Sequence, residues 1–188
     1  MTPAPLRAAV GITALVSCVL YLAADAWELA GGGFFTVQLW LTYAAFVAVP
    51  FFLSGLHIVQ APRAGAASLA GAVAYGVAFV FYAGTALYAV VAGTADYPTL
   101  VRQLGVAYPV HGSLMIAGAL LFGWSVVRAG VFPRWTGITL AAGAALALVL
   151  FVADAPPIAQ IAGNTVRNAA FIGMALATLR SRPGPGPA

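Results

Sequence analysis

Charge is what this sequence has least of. Only 6% of its 188 residues are charged: eight arginines, no lysine and four acids. A water-soluble domain coats itself with roughly a quarter charged residues, so a soluble enzyme and a disordered regulator are excluded. Cysteine is nearly absent too. Cys18 alone allows no internal disulfide and no thiolate metal cage, which removes the secreted disulfide scaffold. Long polar connections are missing as well. No loop exceeds a dozen residues, leaving no room for a soluble domain, an ATP-binding cassette or a phosphate-cradling glycine loop. The net charge of +4 does not point to nucleic acid, because the arginines are scattered rather than gathered into a basic patch.

What is abundant is apolar sequence, at 63%. A spanning helix needs about 20 mostly apolar residues, and six such stretches lie near 8–30, 35–59, 67–92, 105–128, 136–153 and 157–179. The expected architecture is all-α, a polytopic membrane protein built as one compact six-helix transmembrane bundle over 1–180. Turn chemistry separates the spans at Gly31-Gly32-Gly33, Ala61-Pro62-Arg63, Gly93-Thr94, Gly130 with Pro133, and Pro156-Pro157. Residues 181–188 have the composition of a disordered tail. Leu15-Val16-Ser17-Cys18 looks like a lipoprotein cleavage box, but the chain stays apolar beyond Cys18, as in a spanning helix.

In a six-span arrangement Arg7, Arg63, Arg128, Arg134, Arg180 and Arg182 fall on one side. Asp25, Glu28, Asp96 and Asp154 fall towards the other, with Arg102. Arginine excess marks the cytoplasmic side, and Trp marks both interfaces. Trp27 and Trp40 then sit near the outer interface and Trp124 and Trp135 near the inner one. Both termini are expected in the cytoplasm, the protein in the cytoplasmic (inner) membrane.

Alanine and glycine run through every span, which predicts close helix packing rather than a wide pore. Pro50 is expected to bend span 2 and Pro109 to bend span 4 less severely. Pro62-Arg63 and Pro133-Arg134 each open an inner turn followed by a Leu-Ala-Gly or Leu-Ala-Ala-Gly stretch, a weak sign that spans 2–3 and 4–5 are related hairpins. Tyr75, Phe79 and Tyr82 share one face of span 3, as core or as an aromatic ligand wall.

The strongest polar signal is on span 6. Gln160, Asn164, Arg167 and Asn168 fall at i, i+4, i+7 and i+8, one helix face. A charge at mid-span costs at least about 2.5 kcal/mol and must find a partner inside the bundle. For Arg167 the candidates are Asp25, Glu28 and Asp154. Asp154 cannot make the usual N-terminal cap, because Pro156 and Pro157 have no amide hydrogen to give it. Asp25 and Glu28 stand three apart on span 1, and two carboxylates that share a site can hold one proton between them, which suits a proton donor or a coupling site. His111 lies in the outer half of span 4 near Tyr108. His57 lies at the opposite depth, so a haem held by both histidines is not expected. No metal-ligand spacing occurs, and no cofactor is expected. Catalytic candidates are Glu28, Asp154 and Asp25. Binding candidates are Arg167, Asn164, Asn168, His111 and Tyr108. Together they suggest one outer-half polar pocket, open outward or sideways to lipid.

The run Leu121-Phe-Gly-Trp-Ser-Val-Val-Arg-Ala-Gly-Val-Phe-Pro-Arg-Trp-Thr-Gly137 resembles the turn between helices 4 and 5 in a group of six-span integral membrane proteins common in actinobacteria. The resemblance is best over about 105–180 and implies a fold without assigning a catalytic residue. Trp27-Glu28 is similar to the Trp-Glu pair of the small integral-membrane terpene cyclases, where it implies an acid that protonates an epoxide or alkene. That family also has an acid on its last span. Span 6 has none here, and Asp154 is the residue left for that role.

Three function classes follow. One is a binding or accessory protein for a small lipophilic molecule, with an oligomer or a partner protein left open. Another is a cofactor-free intramembrane cyclase or isomerase acting on a prenyl or lipid substrate. The third is a small proton-linked transporter.

Overall fold

A computed structural model describes residues 3–153 and 155–180, the side chain of Pro157 excepted. Among them the chain is all-helical, with six helices. Helix α1 spans Ala4–Gly31 and starts on prolines, whose missing amide hydrogens cost nothing in a first turn. It stops where Gly32 turns left-handed (φ 71°) and donates its N–H to the Glu28 carbonyl, the usual role of glycine past a helix end.

Helix α2, Thr36–Ala92, runs for 57 residues. Kept straight it would be about 86 Å long, far more than the roughly 30 Å of a hydrocarbon core. It therefore doubles back. Gly65 is its one residue with non-helical dihedrals (φ 61°, ψ −172°), a conformation that only glycine adopts without strain. The reversal falls there and not at Ala61-Pro62-Arg63, because Pro50 and Pro62 both keep helical backbone. The limbs 36–64 and 66–92 then run antiparallel. Phe46 meets Phe79 edge-on at 5.1 Å, Gly76 lies against Pro50, and Gln60 donates to Ser68 at 2.8 Å.

Between the spans read from the sequence lies a short helix, α3, Tyr97–Leu104. Asp96 caps it by accepting from the Thr99 amide at 2.8 Å, and Pro98 sits in its first turn. Helix α4, Ala107–Ala129, follows at once. Pro109 lies in its first turn, where no amide hydrogen is missed, so the second expected bend has no cause. Gly130 closes α4 left-handed, and α5, Arg134–Val152, starts after Pro133. Helix α6 is Pro157–Arg180.

Helix α1 packs on α2 and α6, α2 on α4, α4 on α5, and α5 on α6. The order around the bundle is thus a closed ring in sequence order. Ser17 donates to the Ala45 carbonyl and Val10 faces Gly55, which seats α1 on the first limb of α2. Gly71 and Gly118 bring the second limb against the α4 backbone, and Gly123 and Gly137 do the same for α4 and α5. Dispersion gained at such close approach is what holds apolar helices together where burial from water is no longer a driving force.

Neighbours around the ring are antiparallel, so the molecule has two ends. One holds α3; the other holds Pro3, the Gly65 turn and Arg180. Helices α1, α2, α4 and α5 are long and apolar enough to cross a membrane. Helix α6 is not among them, because Gln160, Asn164, Arg167 and Asn168 lower the hydropathy of one face. The 181–188 tail and Asp154 lie outside the described residues.

Candidate functional site

The half of the bundle towards the Gly65 turn is solid. Phe52, Phe122, Leu140 and Met174 are buried there, and Phe171 closes the centre against Phe52 and Tyr75. The α3 half is hollow. A cavity of about 290 Å³ lies on the ring axis and takes side chains from all six helices.

Its floor is the polar face of α6. Arg167 is 6% exposed. Its guanidinium donates to Asn164 Oδ1 and to the Met115 thioether sulfur, and its Nε has no hydrogen-bond partner. Asn164 Nδ2 in turn donates to Asp25 Oδ2 at 3.2 Å. Asp25, 7% exposed, is thus joined to Arg167 through one amide and not directly. Of the three candidate partners for Arg167, Asp154 lies outside the described residues, and neither Asp25 nor Glu28 forms a direct ion pair with it. Asn164, one turn before Arg167 on the same face, occupies the space between helices α1 and α6.

Towards the α3 end, Glu28 accepts from Gln38 Nε2 at 3.4 Å, and Gln38 also donates to Thr42 Oγ1 at 3.3 Å. Gln38 is 2% exposed and its Oε1 has no partner. The walls are aromatic. Tyr21, Phe46, Phe79, Tyr82 and Tyr108 line the cavity and meet at ring distances of 4.8–6.3 Å. Helix α3 lies across the top. Leu100 packs with Leu39 and Ala89, and Tyr97 meets Tyr108 edge-on at 5.7 Å.

One side is less closed. Helices α4 and α5 touch at Gly123 and Gly137 near the solid end, and no residue of α5 beyond Ala144 is buried. On the α3 side of that contact, Ser113 on α4 and Leu148 and Val152 on α5 line the cavity while remaining exposed. The cavity therefore reaches the lateral surface at the α4/α5 seam.

Five of the eight catalytic and binding candidates meet at this cavity: Asp25, Glu28, Tyr108, Asn164 and Arg167; Gln160, Phe79 and Tyr82, also singled out from the sequence, line it too. Asn168 is buried one turn deeper, in a void of about 10 Å³ shared with Ser17, Tyr75 and Phe171. His111 stands apart from both. Its ring stacks on Phe81 at 3.8 Å and 6°, and its Nδ1 lies 2.8 Å from the Ala107 carbonyl oxygen. Depth along span 4 was legible, but its rotation turns His111 away from the axis. His57 bonds Ser68 at 2.9 Å near the Gly65 turn. Sequence reasoning missed Tyr21, Gln38, Thr42 and Tyr97. Tyr21 could have been found, since it stands four residues before Asp25 on the same face. Among the described residues no three His, Cys, Asp or Glu side chains gather as a metal site would require.

No protein-family model matches the chain, and no curated protein or solved structure matches it.

Proposed function

We propose that the protein is a six-span integral membrane protein that binds a small lipophilic molecule in the cavity of its α3 half. The carrying observation is the buried Arg167 on the floor of an aromatic-walled cavity that opens sideways at the α4/α5 seam. A merely structural arginine at this depth would be expected to pair closely and leave no space beside it. The exterior supports the membrane reading. Large apolar side chains such as Phe51, Val80, Val91 and Ile138 are exposed, and all four Trp are about half-exposed near the two ends. The arginine-rich end, with Pro3 and Arg180, is assigned to the cytoplasm, which puts the cavity in the outer leaflet. A lipophile would enter from the bilayer through the seam.

A second reading, an intramembrane acid–base enzyme, is favoured by one observation. Glu28 faces the cavity, and its side-chain contact there is the 3.4 Å bond from Gln38. Such an enzyme would turn over a prenyl or lipid substrate, and Glu28→Gln would abolish the product while leaving binding in place.

The test of the binding reading is mass spectrometry of small molecules that co-purify with the protein in lipid nanodiscs. Wild type is compared with Ser113→Trp, which plugs the seam from an exposed position. A discrete lipophile present in wild type and depleted in the folded variant is the expected result. Equal amounts in both, or none in either, would overturn it.

A further inference from the structure

We infer that the ligand of this cavity is a flat, uncharged lipophile whose ring carries a carbonyl, and that this carbonyl replaces the Met115 thioether as partner of the Arg167 guanidinium. The inference rests on the binding reading above and names the chemistry of what is bound.

Three observations carry it. First, Arg167 is under-satisfied. Guanidinium has five N–H donors. Here Asn164 supplies a carbonyl oxygen, the Tyr75 hydroxyl approaches the guanidinium from the core side, Met115 supplies only a thioether sulfur, and Nε has nothing. Thioether sulfur is a weak acceptor, and methionine is a flexible side chain that readily yields its place. Met115 and Arg167 both line the cavity, so a stronger acceptor arriving there can take the guanidinium as the sulfur moves aside. Second, acidic groups already face this guanidinium. Asp25 reaches Arg167 through Asn164, and Glu28 stands further up the same cavity. An anionic head group would enter beside two carboxyl groups, whereas a neutral carbonyl supplies the acceptor without adding charge. Third, the walls are flat. Phe46, Phe79, Tyr82 and Tyr108 present ring faces and edges around the axis, the surroundings in which a planar ring gains offset and edge-to-face contacts.

The experiment uses three probes on one skeleton: a methylnaphthoquinone, methylnaphthalene and naphthoate. Each is equilibrated with the protein in nanodiscs, and binding is read against empty nanodiscs to remove partition into lipid. The quinone is expected to bind about tenfold or more tighter than the hydrocarbon, the worth of a hydrogen bond to a charged donor. Met115→Gln tests the geometry without deleting the arginine. Glutamine is close to methionine in length and offers Arg167 an amide carbonyl from within. The variant should lose the preference for the quinone while still holding methylnaphthalene. Equal binding of all three probes overturns the carbonyl assignment and leaves the lipophile reading standing. Tightest binding by naphthoate overturns the uncharged head group. A quinone preference that survives Met115→Gln overturns the role of Arg167. Retention of none of the probes above empty nanodiscs overturns this inference and the binding reading together.

Discussion

Asn164 donates its side-chain N–H to the Asp25 carboxylate across 3.2 Å, linking α6 to α1 over 139 residues of sequence. The same amide accepts from Arg167, so its two ends answer two opposite charges. An asparagine can do this because it carries a donor and an acceptor on one planar group. Leucine at this position would leave both a carboxylate and a guanidinium short of a partner inside the bundle.

Asn164→Leu is therefore expected to destabilise the protein by about 1–3 kcal/mol, the cost of stranding buried polar groups. Asp25→Asn should cost less on its own, because an amide oxygen still accepts from Asn164. Unfolding in mixed micelles measures both. The double variant should fall short of the sum of the singles by about 1 kcal/mol, as expected for contacting side chains. Strict additivity would mean the two residues are not coupled.

Two glycines of the same composition should behave in opposite ways. A Cβ on Gly118 would lie 2.5 Å from the Tyr75 backbone nitrogen, an atom that cannot swing aside. Gly118→Leu should cost at least about 1–3 kcal/mol through overpacking. A Cβ on Gly84 meets nothing within 4 Å, so Gly84→Ala should stabilise by about 1 kcal/mol or less through helix propensity. The same unfolding measurement reads both.

The orientation is checked with single cysteines in a Cys18→Ser background. Ala95→Cys, before α3, should react with a membrane-impermeant maleimide on intact cells. Ala64→Cys, beside the Gly65 turn, should react only after the membrane is opened. The reverse pattern would place the cavity in the cytoplasmic leaflet.

Helix α3 should respond to acid. The bond from Thr99 to the Asp96 carboxylate holds its pKa below the usual carboxylate value. A depressed folded-state pKa means the cap contributes in full above the unfolded value of about 3.9, and the contribution is lost as pH falls through the lower folded value. Amide exchange at Thr99 and Leu100 should rise below about pH 4. In Asp96→Asn, which still caps, this acid-induced rise should be absent.

Helices α1, α2, α4 and α5 were legible because each announces itself by length and apolarity, and because glycine and proline punctuate the chain; α6 was read from its length and the polar residues on one face. The closed ring of helices was not, since hydropathy carries depth and no azimuth. This is why Arg167, Asn164 and Asp25 could be placed at similar levels, whereas His111 could not be seen to turn towards Phe81. Pro62 marked the neighbourhood of the α2 reversal, but the residue that makes it is Gly65, the one with positive φ. Helix α3 escaped notice because eight residues are too few for periodicity to show. Gln38 escaped because a polar residue near a helix start reads as solvated. Only the fold reveals that it is buried and bonded to Glu28 at the cavity.

A lipophile site and a gap in packing differ in what the cavity holds. A crystal structure grown in a lipidic mesophase, with whatever the protein retains from its membrane, separates the two. Continuous non-protein density is expected in the α3 half, with one polar end at the Arg167 guanidinium and an apolar body running towards the α4/α5 seam. A cavity collapsed by side-chain movement, or one holding only ordered water between Asp25, Asn164 and Arg167, would contradict a lipophile site.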